Sequence, residues 1–190
     1  TICAQDRLPL LGEVVDGDMR LNTAGLVITS WWEDIPRRFP GSALDTFVVM
    51  PNHVHGIVVI DDVEEPVMRA NEEGGHIGPP LPYAARSTVG ADRCVRPIID
   101  HNSASMHNPH LARIIQWFKT MTTNDYIRGV KTDNWPPFRK RFWQRDYYEH
   151  IVRDDAALDR IRASIFNNPA NWARNPENAA TPIPPPPSPS

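Results

Sequence analysis

Two histidines, His53 and His55, stand one residue apart in an apolar, β-branched run: Phe47-Val48-Val49-Met50-Pro51-Asn52-His53-Val54-His55-Gly56-Ile57-Val58-Val59-Ile60. Side chains alternate faces along a strand, so both imidazoles project one way and Val54 the other. Two imidazoles side by side on a rigid strand can hold one divalent metal and leave its other positions open. The same spacing also suits histidines satisfied by ordinary hydrogen bonds. Three features favour a site. The pair lies deep in an apolar strand, where unsatisfied imidazoles are costly. Pro51 and Asn52 break the strand just before it, which predicts a nearby opening. A basic, aromatic segment further on could bring in an anionic polymer. With a third ligand and open positions for substrate oxygens, the pair would make a Mg²⁺- or Mn²⁺-type centre. Such a metal polarises a phosphodiester oxygen, and the reaction then needs a nucleophile, either water or a side-chain hydroxyl.

The basic segment is the stretch Phe138-Arg139-Lys140-Arg141-Phe142-Trp143-Gln144-Arg145-Asp146-Tyr147-Tyr148-Glu149-His150-Ile151. Cations interleaved with aromatics suit a surface that grips phosphates and stacks bases, or an edge strand with aromatics inward and charges outward. Net charge is −3 over 190 residues, but its distribution is uneven. Residues 61–73 are strongly acidic. From Pro109 to Arg153 the cations Arg113, Lys119, Arg128, Lys131, Arg139, Lys140, Arg141, Arg145 and Arg153 face only Asp125, Asp133, Asp146 and Glu149. That half could meet phosphates, with Arg113, Lys119, Arg139, Lys140, Arg141, Trp143 and Arg145 as candidate DNA contacts.

These groups need elements to position them. Gly12–Val15 and Met19–Leu21 flank Asp16-Gly17-Asp18, a hairpin signal. Asn22 or Thr23 can cap a helix whose Leu26, Val27, Trp31 and Ile35 recur at helical spacing, ended by Pro36 and Pro40-Gly41. The histidine run follows as a strand pair broken at Met50-Pro51-Asn52. Residues 61–108 are rich in Gly, Pro, Ser and charge and are expected to be a disordered insertion, with His76, His101 and His107 as solvated loop residues. Pro109 opens a helix with the stripe Leu111, Ile114, Ile115, Phe118 and Met121. A strand over the basic segment comes next. Asp154 then caps a last helix, with Leu158, Ile161 and Ile165 on one face, that stops at Asn167-Asn168-Pro169. Residues 179–190 read as a disordered, proline-rich tail. The order β-β-α-β-β, insertion, α, β, α predicts an α+β fold: a ferredoxin-like antiparallel sheet, with helices packed on it and the histidine strand at its centre.

Composition excludes other classes. The chain is 41% hydrophobic, enough for a core in one domain over residues 1–178, and no apolar run reaches membrane-spanning length. Cys3 and Cys94 are the only cysteines, so a disulfide scaffold is not expected and a reducing cytoplasm fits. The opening Thr1-Ile2-Cys3-Ala4 has no Met and no signal pattern, as if a few upstream residues precede it.

Val48-Val49-Met50-Pro51-Asn52-His53-Val54-His55-Gly56-Ile57-Val58 resembles the HUH motif (histidine, hydrophobic, histidine) of single-tyrosine transposases. Phe142-Trp143-Gln144-Arg145-Asp146-Tyr147-Tyr148-Glu149-His150-Ile151-Val152-Arg153 resembles the second hallmark block of the REP-associated tyrosine transposases. The Gly12–Leu21 hairpin and Asn167-Asn168-Pro169 with Trp172 are similar as well. The resemblance covers residues 1–60 and 109 to about 178, in the family's order. It implies a ferredoxin-like, RRM-like fold, a bacterial protein in the cytoplasm that joins the nucleoid on DNA, and a monomer or homodimer. It further implies recognition of hairpin-containing single-stranded DNA, with Mg²⁺ or Mn²⁺ as cofactor. A tyrosine on the last helix would attack DNA and leave a 5′-phosphotyrosine link. His53 and His55 match the metal histidines and Asn168 the amide ligand one turn beyond the tyrosine, where i and i+4 share a helix face. The family pattern Tyr-Ile-x-x-Asn-Pro falls on Ser164-Ile165-Phe166-Asn167-Asn168-Pro169, so Ser164 holds the tyrosine position. Serine's hydroxyl sits closer to the backbone and is a poorer leaving group on resealing than a phenol of pKa about 10. Tyr148, on the preceding segment, is a possible substitute nucleophile. Three functions are therefore in view: a transposase-type DNA enzyme, a hairpin-binding module that no longer cuts, and a metal-dependent phosphoesterase using bound water.

Overall fold

A computed structural model describes residues 1–61 and 108–174. The expected insertion, its three histidines, Cys94 and the proline-rich tail lie outside the described residues. The protein has a mixed α+β fold, an antiparallel sheet with helices packed against it. Strands β1 (Ile2–Cys3), β4 (Ser42–Met50) and β5 (His53–Ile60) form one sheet in the order β1-β5-β4, so the histidine strand is central. Strands β2 (Gly12–Val15) and β3 (Asp18–Leu21) form a separate hairpin. Its turn residues Asp16 and Gly17 have φ of 55° and 86°, the left-handed pair that lets a two-residue turn follow the strands' twist.

Helix α1 (Thr23–Glu33) starts at Asn22, whose side chain accepts from the Gly25 N–H at 2.9 Å. Its buried stripe is Ala24, Gly25, Ile28 and Trp32, one position out of phase with the stripe expected from sequence; Leu26 is exposed. The physical reason is size: a Cβ at Gly25 would lie 2.3 Å from Leu11 O, so only glycine lets the α1 backbone sit against Leu11 and Leu21. Pro36 does not end the helix region but occupies the first turn of a short α2 (Ile35–Arg38), where its missing N–H is harmless. Helix α3 (Pro109–Thr132) is capped by the Asn108 side chain and buries Ile114, Ile115, Phe118, Thr122 and Tyr126. Trp31 ties α1 to α3 by donating its indole N–H to Asp125 at 2.8 Å.

The expected strand over residues 138–151 does not form. This stretch runs extended beside β1 with one isolated bridge, Ala4 to Trp143, and backbone bonds from Gln5 to Phe142, Gln144 to Cys3 and Tyr148 to Thr1. Buried anchors rather than a regular ladder hold it. Phe142 and Trp143 are 1% and 4% exposed, Phe142 stacks on Tyr126 at 4.2 Å, and the Trp143 indole donates to Thr122 Oγ1 at 2.8 Å.

Register assigns the two faces of the main sheet. Ile2 pairs with Val54 and Val49 with Val54, and these side chains enter the core with α1 and α3. Gly56 shares that face: a Cβ there would lie 2.2 Å from the Trp32 ring, so glycine is what lets the indole of α1 lie on the strand. Cys3, Met50, His53 and His55 share the opposite face. Helix α4 (Asp155–Phe166) packs against β4, where Arg162 makes a two-pronged ion pair with Asp45 at 2.5–3.1 Å.

Candidate metal centre and its surroundings

His53 is fully buried and its ring stands 4.6 Å from that of His55, nearly perpendicular at 78°. The two-residue link before it, Pro51-Asn52, is itself buried and bound by the Ala4 and Leu11 N–H groups. It is therefore a packed turn where the sequence predicts an opening; a cleft of about 190 Å³ does lie beside it, lined by Pro51, Asn52, Trp172 and the start of β2. Asn52 decides how His53 presents itself. Its Nδ2 donates to Arg7 O at 3.1 Å, which turns Oδ1 toward His53 Nδ1 at 2.7 Å. An amide oxygen only accepts, so Nδ1 carries the proton and Nε2 carries the lone pair. His55 Nδ1 lies 2.6 Å from the Thr1 hydroxyl, which can serve either tautomer. Burial holds both imidazoles neutral: it lowers His55 to about 3, and burial with the adjacent His55 lowers His53 well below its ordinary value. Neutral, oriented imidazoles are the form that ligates metal.

Among the described residues, no group of three or more His, Cys, Asp and Glu side chains is placed to hold a metal, so a third ligand drawn from them would be of another kind. Asn168 supplies a candidate. Helix α4 ends at Phe166 with Asn167 as its cap, so Asn168 lies in the turn after the helix rather than on it; its N–H still reaches back to Ile165 O at 3.2 Å. Its Oδ1 is buried with no hydrogen-bond partner, an acceptor whose lone pairs are unused. The same turn leads to Trp172, whose ring lies 5.9 Å from that of His53. Two neutral imidazoles, joined by an amide oxygen from the turn after α4, are a donor set that fits a hard or borderline divalent cation such as Mn²⁺ or Mg²⁺.

The other candidates divide. Ser164 is exposed on α4. Arg113, Arg139, Lys140, Arg141 and Arg145 are exposed. Of these, Lys140, Arg141 and Arg145 line a cleft of about 550 Å³ between α3 and the 138–147 stretch, floored by Ile115, Ile127, Phe138 and Phe142. None of the histidine-face residues lines it. Two expected DNA contacts are corrected. Trp143 is a core residue and offers no face for a base. Lys119 spends its ammonium on the carbonyls of Gln144, Arg145 and Asp146 at 3.0, 3.2 and 3.3 Å, tethering an extended stretch that lacks a ladder. Burial brings its pKa down to about 8, against the opposing pull of Asp146, so at neutral pH it remains the donor those carbonyls need. Tyr147 packs on the core under Lys119, 5.4 Å away, whereas Tyr148 is 38% exposed. Asn52, Thr1 and Trp172 are site neighbours that sequence reasoning missed. Asn52 was detectable, since an amide directly before a buried histidine can set its tautomer; Thr1 and Trp172 arrive only through tertiary pairing.

Among the described residues no helix is long and apolar enough to cross a membrane. No protein-family model and no solved structure matches the chain. It is 31% identical over 175 residues to an uncharacterized protein of Haemophilus influenzae, an alignment that spans 92% of this chain and 81% of the relative. The chain belongs to the same family as that Haemophilus influenzae protein.

Proposed function

We propose that the chain is a metal-dependent protein for hairpin-containing single-stranded DNA, of the kind the REP-associated tyrosine transposases represent, built on a ferredoxin-like sheet with β5 at its centre. The observation that carries this is the pair of adjacent, buried imidazoles on β5; the turn after α4 brings Trp172 to 5.9 Å from His53, and Asn168 in that turn keeps a buried amide oxygen without a hydrogen-bond partner. Asn52 and Thr1 orient the rings. Mn²⁺ or Mg²⁺ bound there would supply a Lewis acid for a phosphodiester oxygen. The exposed cations Lys140, Arg141 and Arg145 line the cleft beside α3, and the stretch that carries them bonds to β1; a nucleic-acid backbone held there would have to cross β1 to reach the histidine face. Ser164 favours a second reading, a module that holds hairpins without cutting them, because α4 presents no phenol at that position.

The test is thermal unfolding and gel-shift binding of the full chain with Mn²⁺ and a pool of DNA hairpins carrying randomised single-stranded flanks. Expected are a Mn²⁺-dependent rise in melting temperature, lost in His53→Ala and His55→Ala, and preference for the hairpin pool over duplex. A Mn²⁺ response unchanged in both variants sinks the metal centre; equal affinity for duplex sinks the hairpin.

A further inference from the structure

The phenol that α4 lacks is present elsewhere on the same face. We propose that Tyr148, carried on the extended stretch beside β1, is the nucleophile of this site; the proposal rests on the metal-centre reading above. The assignment follows from register. Ile2 pairs with Val54 and Cys3 with His53, so Thr1 falls opposite His55, and the Thr1 hydroxyl at 2.6 Å from His55 Nδ1 shows that both side chains share one face. Thr1 and Tyr148 exchange both backbone bonds, Thr1 N to Tyr148 O at 2.7 Å and Tyr148 N to Thr1 O at 3.0 Å. That is the bonding pattern of two directly opposed residues in an antiparallel pair, which point to the same side. His55, Thr1 and Tyr148 therefore form one row on the histidine face, with about 10 Å between the outer two backbones, two strand spacings. A phenol reaches much further from its backbone than the serine hydroxyl of Ser164 does.

The other described tyrosines are engaged. Tyr126 gives its hydroxyl to Pro136 O at 2.9 Å, and Tyr147, pointing to the opposite face, reaches Glu149 at 3.2 Å. Tyr148, by contrast, is 38% exposed. The backbone behind it is fixed by the three Lys119 bonds to residues 144–146. The step is a transesterification. The Tyr148 oxygen bonds to phosphorus, the bond from phosphorus to the 3′-oxygen breaks, the phenol loses its proton, and the departing 3′-oxygen gains one. No oxidant or further reactant is consumed.

The experiment uses the full chain with ring-labelled tyrosine, Mn²⁺ as probe, and the randomised hairpin pool. Expected are three results: paramagnetic loss of the Tyr148 ring signal while the Tyr126 signal survives, a denaturant-resistant protein–DNA adduct whose mass maps to the peptide bearing Tyr148, and no adduct in Tyr148→Phe with hairpin affinity retained. A sharp Tyr148 signal with Mn²⁺ bound overturns the proposal. So does an adduct that persists in Tyr148→Phe or maps to Ser164, and so does hairpin binding with no adduct at all, the behaviour of a non-cutting module. Absence of any Mn²⁺ effect on any tyrosine and on the melting temperature removes the metal centre itself, and this proposal with it.

Discussion

Asn168→Leu separates a side chain kept for a ligand from one kept for the fold. The Asn168 Oδ1 is buried with no hydrogen-bond partner, so in the metal-free protein it has given up water for nothing. A buried unsatisfied polar atom costs about 1–3 kcal/mol, and leucine fills a similar space without it. Metal-free Asn168→Leu should therefore be more stable than the parent. With a urea slope of about 2 kcal/mol per molar, the midpoint should rise by about 0.5–1.5 M. With Mn²⁺ the order changes. At one hundred times its dissociation constant a ligand stabilises by about 2.7 kcal/mol, and tenfold weaker binding at the same concentration reduces this to about 1.4 kcal/mol. The variant should gain stability without metal and lose metal-induced stability, two opposite signs from one substitution. Circular dichroism in urea with and without Mn²⁺ reads both. A variant that is less stable without metal and keeps the full Mn²⁺ shift would refute the reasoning, since Asn168 would then be a structural residue.

Trp143→Phe removes the indole bond to Thr122 and part of a buried ring, about 1 kcal/mol each, so the urea midpoint should fall while hairpin affinity of the folded protein holds; a loss of DNA affinity at unchanged midpoint would return Trp143 to the DNA surface. Gly56→Ala forces a Cβ to within 2.2 Å of the Trp32 ring and should cost about 1–3 kcal/mol by urea unfolding; an unchanged midpoint refutes it. The histidines make stability depend on pH. Their folded pKa values lie below the unfolded value of about 6.5, so the unfolded chain takes up protons first as pH falls. The stability tied to neutral imidazoles is whole above that value and declines toward about 3, where His55 itself titrates. The slope is about 1.4 kcal/mol per pH unit for each histidine, read from urea midpoints between about pH 7 and pH 5; a flat profile there refutes it.

Much of this protein is local chemistry and was legible along the chain. The Asp16-Gly17 hairpin, the Asn22, Asn108 and Asp154 caps and the common face of His53 and His55 each depend on residues within a few positions of one another. The errors have the opposite character. The largest apolar residues of α1 suggest one phase, whereas packing against Leu11 and Leu21 requires the smallest, Gly25. Residues 138–151 alternate in a way that suits a strand, yet their pairing depends on β1, only two residues long, and on a lysine from α3. Lys119 and Trp143 are residue types common at DNA interfaces, but burial is a property of what arrives from elsewhere in the chain.

The sequence by itself determined the α+β class, the position of the histidine pair on a strand and the serine at position 164, because periodicity, capping and residue identity are carried by neighbours. Only the tertiary structure decided which histidine nitrogen holds the lone pair, that an amide oxygen after α4 lies buried without a donor, and that Thr1 bonds both His55 and Tyr148. Those facts join residues up to 147 positions apart, and nothing short of strand register and side-chain packing brings such residues together.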